Sequence, residues 1–471
     1  MTIPRVHHGV AAARGPLLFL DGTRRAVMGE WAEIETEEGR SLRGQVIEAG
    51  REVTVVQVLE ETLGLAPGDV EVTLTGRLAT AAVGREMLGR VFSGNGVPLD
   101  DLPEPAGAES RPLSGRPMNP VRRDRPSDFI ETGISVIDGM NTLVRGQKLP
   151  VFSGPGLPGL ELAARVVEGA RIPGDRPFAV IFVALGITER ETRRFLDRFR
   201  GSDVMTRTTL FLNRAADPTI ERLLAPRHAL SLAEHLAFDE GMEVLVVSAD
   251  ITHYCEALRE ISAAREEMPG RRGFPGHMYT DLASLFERAG VVEGRDGSLT
   301  QMPVLTMPND DITHPVPDLT GYITEGQIVL GRELHRRGLF PPVDVLPSLS
   351  RLMNAGVGEE KTVADHRAWA DQLYAVYSRG RDARETAAIV GEGGLPDEDR
   401  RALEFADRFE EAFVHQGEER RTVEESVEIG WGLLRDLPRD DLGRIDDEVW
   451  SRHGEGRDRS GAGRTEREDE P

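Results

Sequence analysis

Phe152-Ser153-Gly154-Pro155-Gly156-Leu157-Pro158-Gly159-Leu160-Glu161-Leu162 decides how this chain is read. An apolar strand candidate, Leu149–Ser153, runs into it, and a helical pattern, Leu160–Ala170, leaves it. A glycine-rich turn between strand and helix is where a parallel sheet binds phosphate, because the free N–H groups of the helix start face the anion. A working loop reads G-x-x-x-x-G-K-[ST]: the lysine neutralises the β- and γ-phosphates and the hydroxyl ligates Mg²⁺. Gly154 and Gly159 take the two glycine places, with Gly156 between them, yet Leu160 and Glu161 stand where the lysine and the hydroxyl belong. An apolar group replaces the cation, and a carboxylate that repels triphosphate replaces the metal ligand. Gly154, Gly156 and Gly159 thus mark a vestigial nucleotide site, with a ligand-free Gly/Pro turn as the plainer reading.

Outward from the loop, apolar runs alternate with helical stretches. Phe178–Leu185, Thr208–Asn213, Val244–Ala249 and Val304–Met307 read as strands; Glu189–Arg200, Thr219–Glu240 and Thr252–Glu267 read as helices. Continuous apolar strands between helices predict a parallel sheet covered on both faces, an α/β domain over residues 77–355. Val244–Ala249 ends in Asp250. In a phosphate-loop enzyme that acid holds Mg²⁺ through water, but an aspartate there also caps the following helix. Before this domain, residues 1–76 carry short alternating strands, a small β-barrel pattern, joined by a Pro- and Arg-rich connector, 106–126. After it, residues 356–450 turn helical, with Trp369, Leu373, Tyr374 and Tyr377 and then Leu403, Phe409 and Phe413 at helical spacing. Residues 451–471 contain no Val, Ile, Leu, Met, Phe, Tyr or Trp and read as a disordered tail.

The chain has 471 residues, 57 Lys plus Arg against 80 Asp plus Glu, and a net charge of −23. A surface that acidic repels phosphate backbones and argues against an extended nucleic-acid platform. The single cysteine, Cys255, rules out an internal disulfide framework and suits a reducing cytoplasm. The first ten residues lack an apolar core, so no secretory signal is expected. The apolar run at Phe178–Ile187 is far too short for a membrane span. His7, His8, His228, His235, His253 and His335 show no metal-ligand spacing.

Further segments stand out. They are Pro117-Met118-Asn119-Pro120, Phe129-Ile130-Glu131-Thr132-Gly133-Ile134-Ser135, Asp138-Gly139-Met140-Asn141, Arg145-Gly146-Gln147-Lys148-Leu149-Pro150, Tyr254–Ile261 and Pro269–Gly276. Most specific is Pro341-Pro342-Val343-Asp344-Val345-Leu346-Pro347-Ser348-Leu349-Ser350, which fits the rotary-ATPase signature P-[SAP]-[LIV]-[DN]-x-x-x-S-x-S. From about Gly15 to Gly443 the chain resembles the B-type subunit of the V/A-type rotary ATPases, the non-catalytic, regulatory partner of their hydrolysing A-type subunit. The degenerate loop belongs to that resemblance, since flagellar, secretion and F-type β subunits keep the lysine.

The resemblance implies a β-barrel, a RecA-like domain with a degenerate phosphate loop, and a C-terminal helical domain. It implies a hexameric head in which this chain alternates with catalytic A-type subunits, built round central and peripheral stalks. The complex couples ATP synthesis or hydrolysis to proton or sodium movement. It touches the membrane only through its other parts, on the cytoplasmic face. The chain itself would be catalytically inert: where the catalytic sister has Gly-Glu-Arg, this sequence reads Gly186-Ile187-Thr188, with Glu189 displaced into the next helix. No cofactor would be required beyond weak ATP or ADP binding at a subunit interface, at Gly154, Gly156, Gly159 and Asp250. Arg351, following Ser350, would reach in trans toward the neighbour's γ-phosphate as an arginine finger. Asn309–Pro315 and Gly321–Gln327 would face neighbouring subunits or the rotor. Two rivals differ in class: an autonomous NTPase with an atypical loop, and a ring-forming nucleic-acid motor related to transcription terminators, which the net charge opposes.

Overall fold

The computed structural model describes residues 5–7, 9–21, 26–60, 62, 64–115, 118, 120–174, 176–200 and 203–454. His8, Pro117 and Asn119 of the connector, and the acidic tail from 455 onward, lie outside the described residues.

Period-two sequence makes the first layer. Strands β1 (Arg5–His7), β2 (Val10–Arg14), β3 (Leu17–Asp21), β4 (Glu30–Thr36), β5 (Ser41–Ala49), β6 (Val53–Val58) and β7 (Val70–Leu78) pair antiparallel in the order β1-β7-β4-β5-β6-β3-β2. Alternate residues, among them Ala32, Ile34, Val46, Val56 and Val72, meet in a core of their own. Strands β4, β5 and β7 accordingly bury alternate residues, whereas β6 is buried on both faces from Thr54 to Val58.

The second layer is a ten-stranded sheet. Its main path uses β8 (Val91–Ser93), β9 (Val151–Ser153), β10 (Phe178–Ile187), β11 (Thr208–Arg214), β12 (Glu243–Ala249), β13 (Ser298–Thr306), β14 (Gly326–Leu330) and β15 (Val343–Ser350), in the order β15-β14-β9-β13-β12-β10-β11-β8. Along this path the neighbours from β14 to β8 run parallel, and the edge strand β15 runs antiparallel to β14. The strand expected at Val304–Met307 is the end of the longer β13. Strands β8, β14 and β15 lack the unbroken apolar runs that announce the central ones.

Helices α1 (Gly159–Gly169), α2 (Glu189–Arg200), α3 (Thr219–Glu234), α4 (Ile251–Ala264), α5 (Pro315–Ile323) and α6 (Arg332–Arg336) cover the faces and ends of this sheet. In β10, Ala179 to Leu185 are all fully buried. Val180, Phe182 and Ala184 enter a core shared with α1, whereas Ala179, Ile181, Val183 and Leu185 enter one shared with α3 and α4. Each large side chain so buried contributes about 1.5–3 kcal/mol relative to exposure, which is why a central strand reads as continuous apolar sequence.

The C-terminal helices α7 (His366–Val390), α8 (Asp397–Phe409), α9 (Val423–Arg435) and α10 (Asp447–His453) form the third layer. Leu395 and Pro396 break the chain between α7 and α8, and Thr422 with Glu425 forms a capping box that starts α9, the arrangement that satisfies two otherwise free N–H groups. Phe409 stacks on Phe413 with centroids 5.0 Å apart and meets the tilted ring of Tyr377 at 4.9 Å. Their core is continuous with the α1 face of the sheet, so this layer is packed onto the central one. Gly139 is required there: a Cβ at that position would lie 2.9 Å from the Trp369 ring. The last helix carries ordered chain through Ser451–His453, past residue 450.

Candidate functional site

The degenerate loop sits at the C-terminal edge of the parallel strands, where β9 hands over to α1. Leu157 N–H donates to Gly154 O at 3.0 Å, and Gly156 takes φ +77°, a conformation open to glycine. A Cβ at Gly159 would press to 2.8 Å from Ser153, so helix and strand meet at glycine-only spacing. Leu160 packs against the core. The repulsion expected of Glu161 is corrected by tertiary contacts: its carboxylate pairs with Arg194 at 2.7 Å and with Arg198, both on α2. Arg198 also grips Glu168, 2.7 Å from Nη2 to Oε2, and these bonds raise its already high pKa.

A cation does stand at this loop, and the sequence did not announce it. Arg332, opening α6, donates from Nη2 to the Pro155 carbonyl at 2.9 Å. Its fork also closes on Asp310, Nε to Oδ2 at 2.6 Å and Nη2 to Oδ1 at 2.8 Å. That bidentate bond holds Asp310 below the usual carboxylate range. Asn309 and Asp310 both take left-handed backbone, φ 59° and 56°, and a Cβ at Gly154 would overlap the Asp310 carboxylate. Arg332 is thus neutralised by its own chain rather than presented to a phosphate.

Asp250 ends β12 as expected, and its carboxylate is engaged locally. Oδ1 accepts Thr252 N–H at 2.7 Å as the cap of α4 and Thr306 N–H at 3.2 Å, while Oδ2 accepts the Thr306 hydroxyl. Glu189 begins α2 and pairs with Arg214 at 3.1 Å. Ile187 lies buried at the end of β10. Cys255 is buried, and burial pushes its thiol well up, away from reactivity. Among the described residues no three His, Cys, Asp or Glu gather as a metal site. No described helix is long and apolar enough to cross a membrane.

Arg351 lies at the opposite end of the sheet. Gly326 faces Ser350 and Leu330 faces Val343 across the antiparallel β14–β15 pair, while Val329 runs level with Phe152 of β9. The residue after Ser350 therefore emerges where β9 begins, and the loop where β9 ends. With ~3.3 Å of rise per residue the two ends are separated by about 13 Å along the strands. Arg351 N–H donates to Glu325 O at 3.0 Å. Its side chain is exposed and, among the described residues, has no ion pair or hydrogen bond. Leu349 on the same edge is 52% exposed, and Tyr322 at the end of α5 is 79% exposed.

The root of β15 is anchored in the helical layer. Fully buried Glu410 accepts the Tyr377 hydroxyl and Arg384 Nη1, each at 2.9 Å, and pairs with Arg337. Burial pushes Glu410 up, but Arg384, Arg337 and Tyr377 outweigh it and hold the pKa below the usual value. Arg381 lies over the Tyr377 ring and 3.8 Å from Asp344, whose carboxyl burial nevertheless pushes up.

A barrel, a phosphate-loop-type parallel sheet and a helical layer, with a loop lacking its cation, define a protein of the ATP synthase alpha/beta class. Family models agree: the beta-barrel domain of the ATP synthase alpha/beta family matches residues 10–76, its nucleotide-binding domain 133–350, and the C-terminal domain of V and A type ATP synthase 355–453. The V-type ATP synthase beta chain of Anaeromyxobacter sp. (strain K) is 60% identical over 450 residues, covering 94% of each chain. That of Thermus thermophilus is 53% identical over 451 residues with the same coverage. The solved ATP synthase subunit NeqB from Nanoarcheaum equitans superposes with a TM-score of 0.71 at 38% identity, over 90% of this chain and all of that one. The chain belongs to the V-type ATP synthase beta chain family.

Proposed function

We propose that this chain is the non-catalytic, regulatory B-type subunit of a V/A-type rotary ATP synthase, alternating with catalytic A-type subunits in a hexameric head. The observation that carries the reading is the division of charge between the two ends of the sheet. At the loop end each polar substitute is engaged within the chain, and the lysine, hydroxyl and general base of phosphoryl transfer are absent. At the other end Arg351 is exposed and unpaired. A planar, permanently charged guanidinium stabilises charge spreading over phosphoryl oxygens, so Arg351 serves as the finger for a neighbour's site. The chain supports ATP synthesis or hydrolysis coupled to proton or sodium transport and passes conformational change around the ring. It works from the cytoplasmic face, and the central and peripheral stalks supply its further partners. It needs no cofactor of its own; Gly154, Gly156, Gly159 and Asp250 mark at most a weak ATP or ADP site at an interface.

The test is ATP turnover of the purified chain alone and after assembly with its catalytic partner. The reading expects none from the chain alone and turnover that depends on Arg351 in the assembled head. Substantial turnover by the isolated chain would instead favour an autonomous NTPase.

A further inference from the structure

The motif Arg145-Gly146-Gln147-Lys148 has so far no role, although Gln147 is fully buried and lies beneath Arg351. Gln147 Oε1 accepts Val144 N–H at 2.9 Å, which fixes the orientation of the amide. Its Nε2 donates to the Ser350 hydroxyl at 3.0 Å and to the Glu325 carbonyl at 3.1 Å. That same carbonyl accepts the backbone N–H of Arg351 at 3.0 Å. Ser350 Oγ in turn donates to Thr142 O at 2.9 Å. The next residue closes the frame: Lys148, 4% exposed, places Nζ 2.9 Å from both Glu325 and Glu287, and its N–H donates to Glu325 Oε2 at 2.8 Å.

β15 is an edge strand paired on one side alone, so nothing in the sheet beyond it restrains its last residue. We propose that Gln147 and Ser350 are positioning residues for Arg351, clasping the end of β15 so that the guanidinium leaves the sheet in one direction. The inference rests on the finger reading of Arg351. The physical need is geometric: an outward side chain on an unrestrained strand end samples many directions, and a misplacement of ~1 Å can cost on the order of 10²-fold in rate. Gln147 and Lys148 lie in the turn just before β9, so the segment that leads into the degenerate loop also has a task at the opposite edge of the sheet.

The experiment uses the head assembled from this chain and its catalytic partner, with Gln147→Leu, Ser350→Ala, Ser350→Thr and Arg351→Ala. Ser350→Ala and Gln147→Leu should each lower kcat about tenfold, with KM for ATP held within about twofold, because substrate binding is left alone and transition-state contact is lost. Affinity for ADP with aluminium fluoride should fall in parallel. Ser350→Thr keeps the hydroxyl and should restore most of the rate. In the Arg351→Ala background neither substitution should cost anything further, the signature of residues acting through one group. Equal losses with and without Arg351, or a normal kcat in both clasp variants beside a defective Arg351→Ala, overturn the clasp and leave the finger standing. Unchanged turnover in Arg351→Ala overturns both. If Gln147→Leu does not assemble, the serine pair decides.

Discussion

The two ends of the central sheet differ in where their charges are satisfied. At the C-terminal edge, Glu161 meets Arg194 and Arg198, Asp310 meets Arg332, and Asp250 meets Thr252 and Thr306. At the N-terminal edge, Arg351 is exposed and meets nothing among the described residues. A charge that its own chain already satisfies has little to offer a ligand, since binding would first have to break the internal pair. An unpaired guanidinium on an exposed edge has no internal pair to break first. The contrast teaches that which cation stays available to a ligand is set by partner supply, not by arginine content: nearly every cation in this chain is arginine.

The largest effect expected is kinetic and one-sided. If Arg351 is the proposed finger, Arg351→Ala should reduce turnover of the assembled head by on the order of 10³-fold or more, the range for fingers supplied in trans. Arg332→Ala, the same change at the loop end, breaks an exposed, solvent-screened pair and should leave stability nearly unchanged. Steady-state turnover and thermal unfolding of both variants check the pair, and reversed outcomes would invert the comparison. Next comes the anchor of β15. Glu410→Gln leaves Arg337 and Arg384 with only the half-exposed Asp407 opposite them and should destabilise the chain by about 1–3 kcal/mol in denaturant unfolding.

Restoring the loop sharpens the comparison from the other side. Leu160→Lys combined with Glu161→Thr returns both missing groups, yet the isolated chain should still show no ATP turnover, because Ile187 leaves the base position empty. Stability should drop by about 1–2 kcal/mol as Arg194 and Arg198 lose Glu161. Measurable hydrolysis by that variant would show that the loop alone was limiting.

The smallest effect is a pH dependence near the loop end. Glu221, bonded to Asn95 at 2.7 Å, has its pKa pushed up to about 7 by burial and then by Asp217 and Glu60. The native state keeps this proton to about pH 7, whereas the unfolded chain releases it above its ordinary value of 4.5. Its contribution is complete below that value and is lost as pH rises toward 7. Glu221→Gln should therefore gain on the wild type between pH 5 and pH 8, by about 1–2 kcal/mol once partial solvent exposure is discounted. A gap that stays flat with pH would mean that Glu221 is ionised throughout.

Much of this was legible in sequence. The strands Phe178–Leu185 and Val244–Ala249 announce themselves because both faces are buried, and Leu160 and Glu161 declare the loop defective at sight. What stayed hidden were partners far apart in the chain. Arg332 reaches Asp310 across 22 residues, Arg198 reaches Glu161 across 37, and Gln147 reaches Ser350 across 203. No periodicity links such pairs, and in a chain rich in arginine no one of them stands out. The stretch carrying β15 was recognised by its signature residues rather than by any strand pattern, since proline and alternate exposure blur an edge strand.

By itself the sequence determined the chemistry available: a glycine turn without its cation, a base position held by isoleucine, an arginine directly after the signature serines, and three segments with three kinds of apolar pattern. Residue type and local spacing carry that information because they act within a turn of helix or a pair of strand residues. Tertiary structure decided direction and partnership. β15 folds back antiparallel on β14, and that reversal sends Arg351 out of the edge opposite the loop. The same packing brings Arg332, Arg194 and Arg198 onto the carboxylates of the loop end and leaves Arg351 without one. Which charges cancel depends on distances of a few ångströms across a sheet, and position along a chain does not encode them.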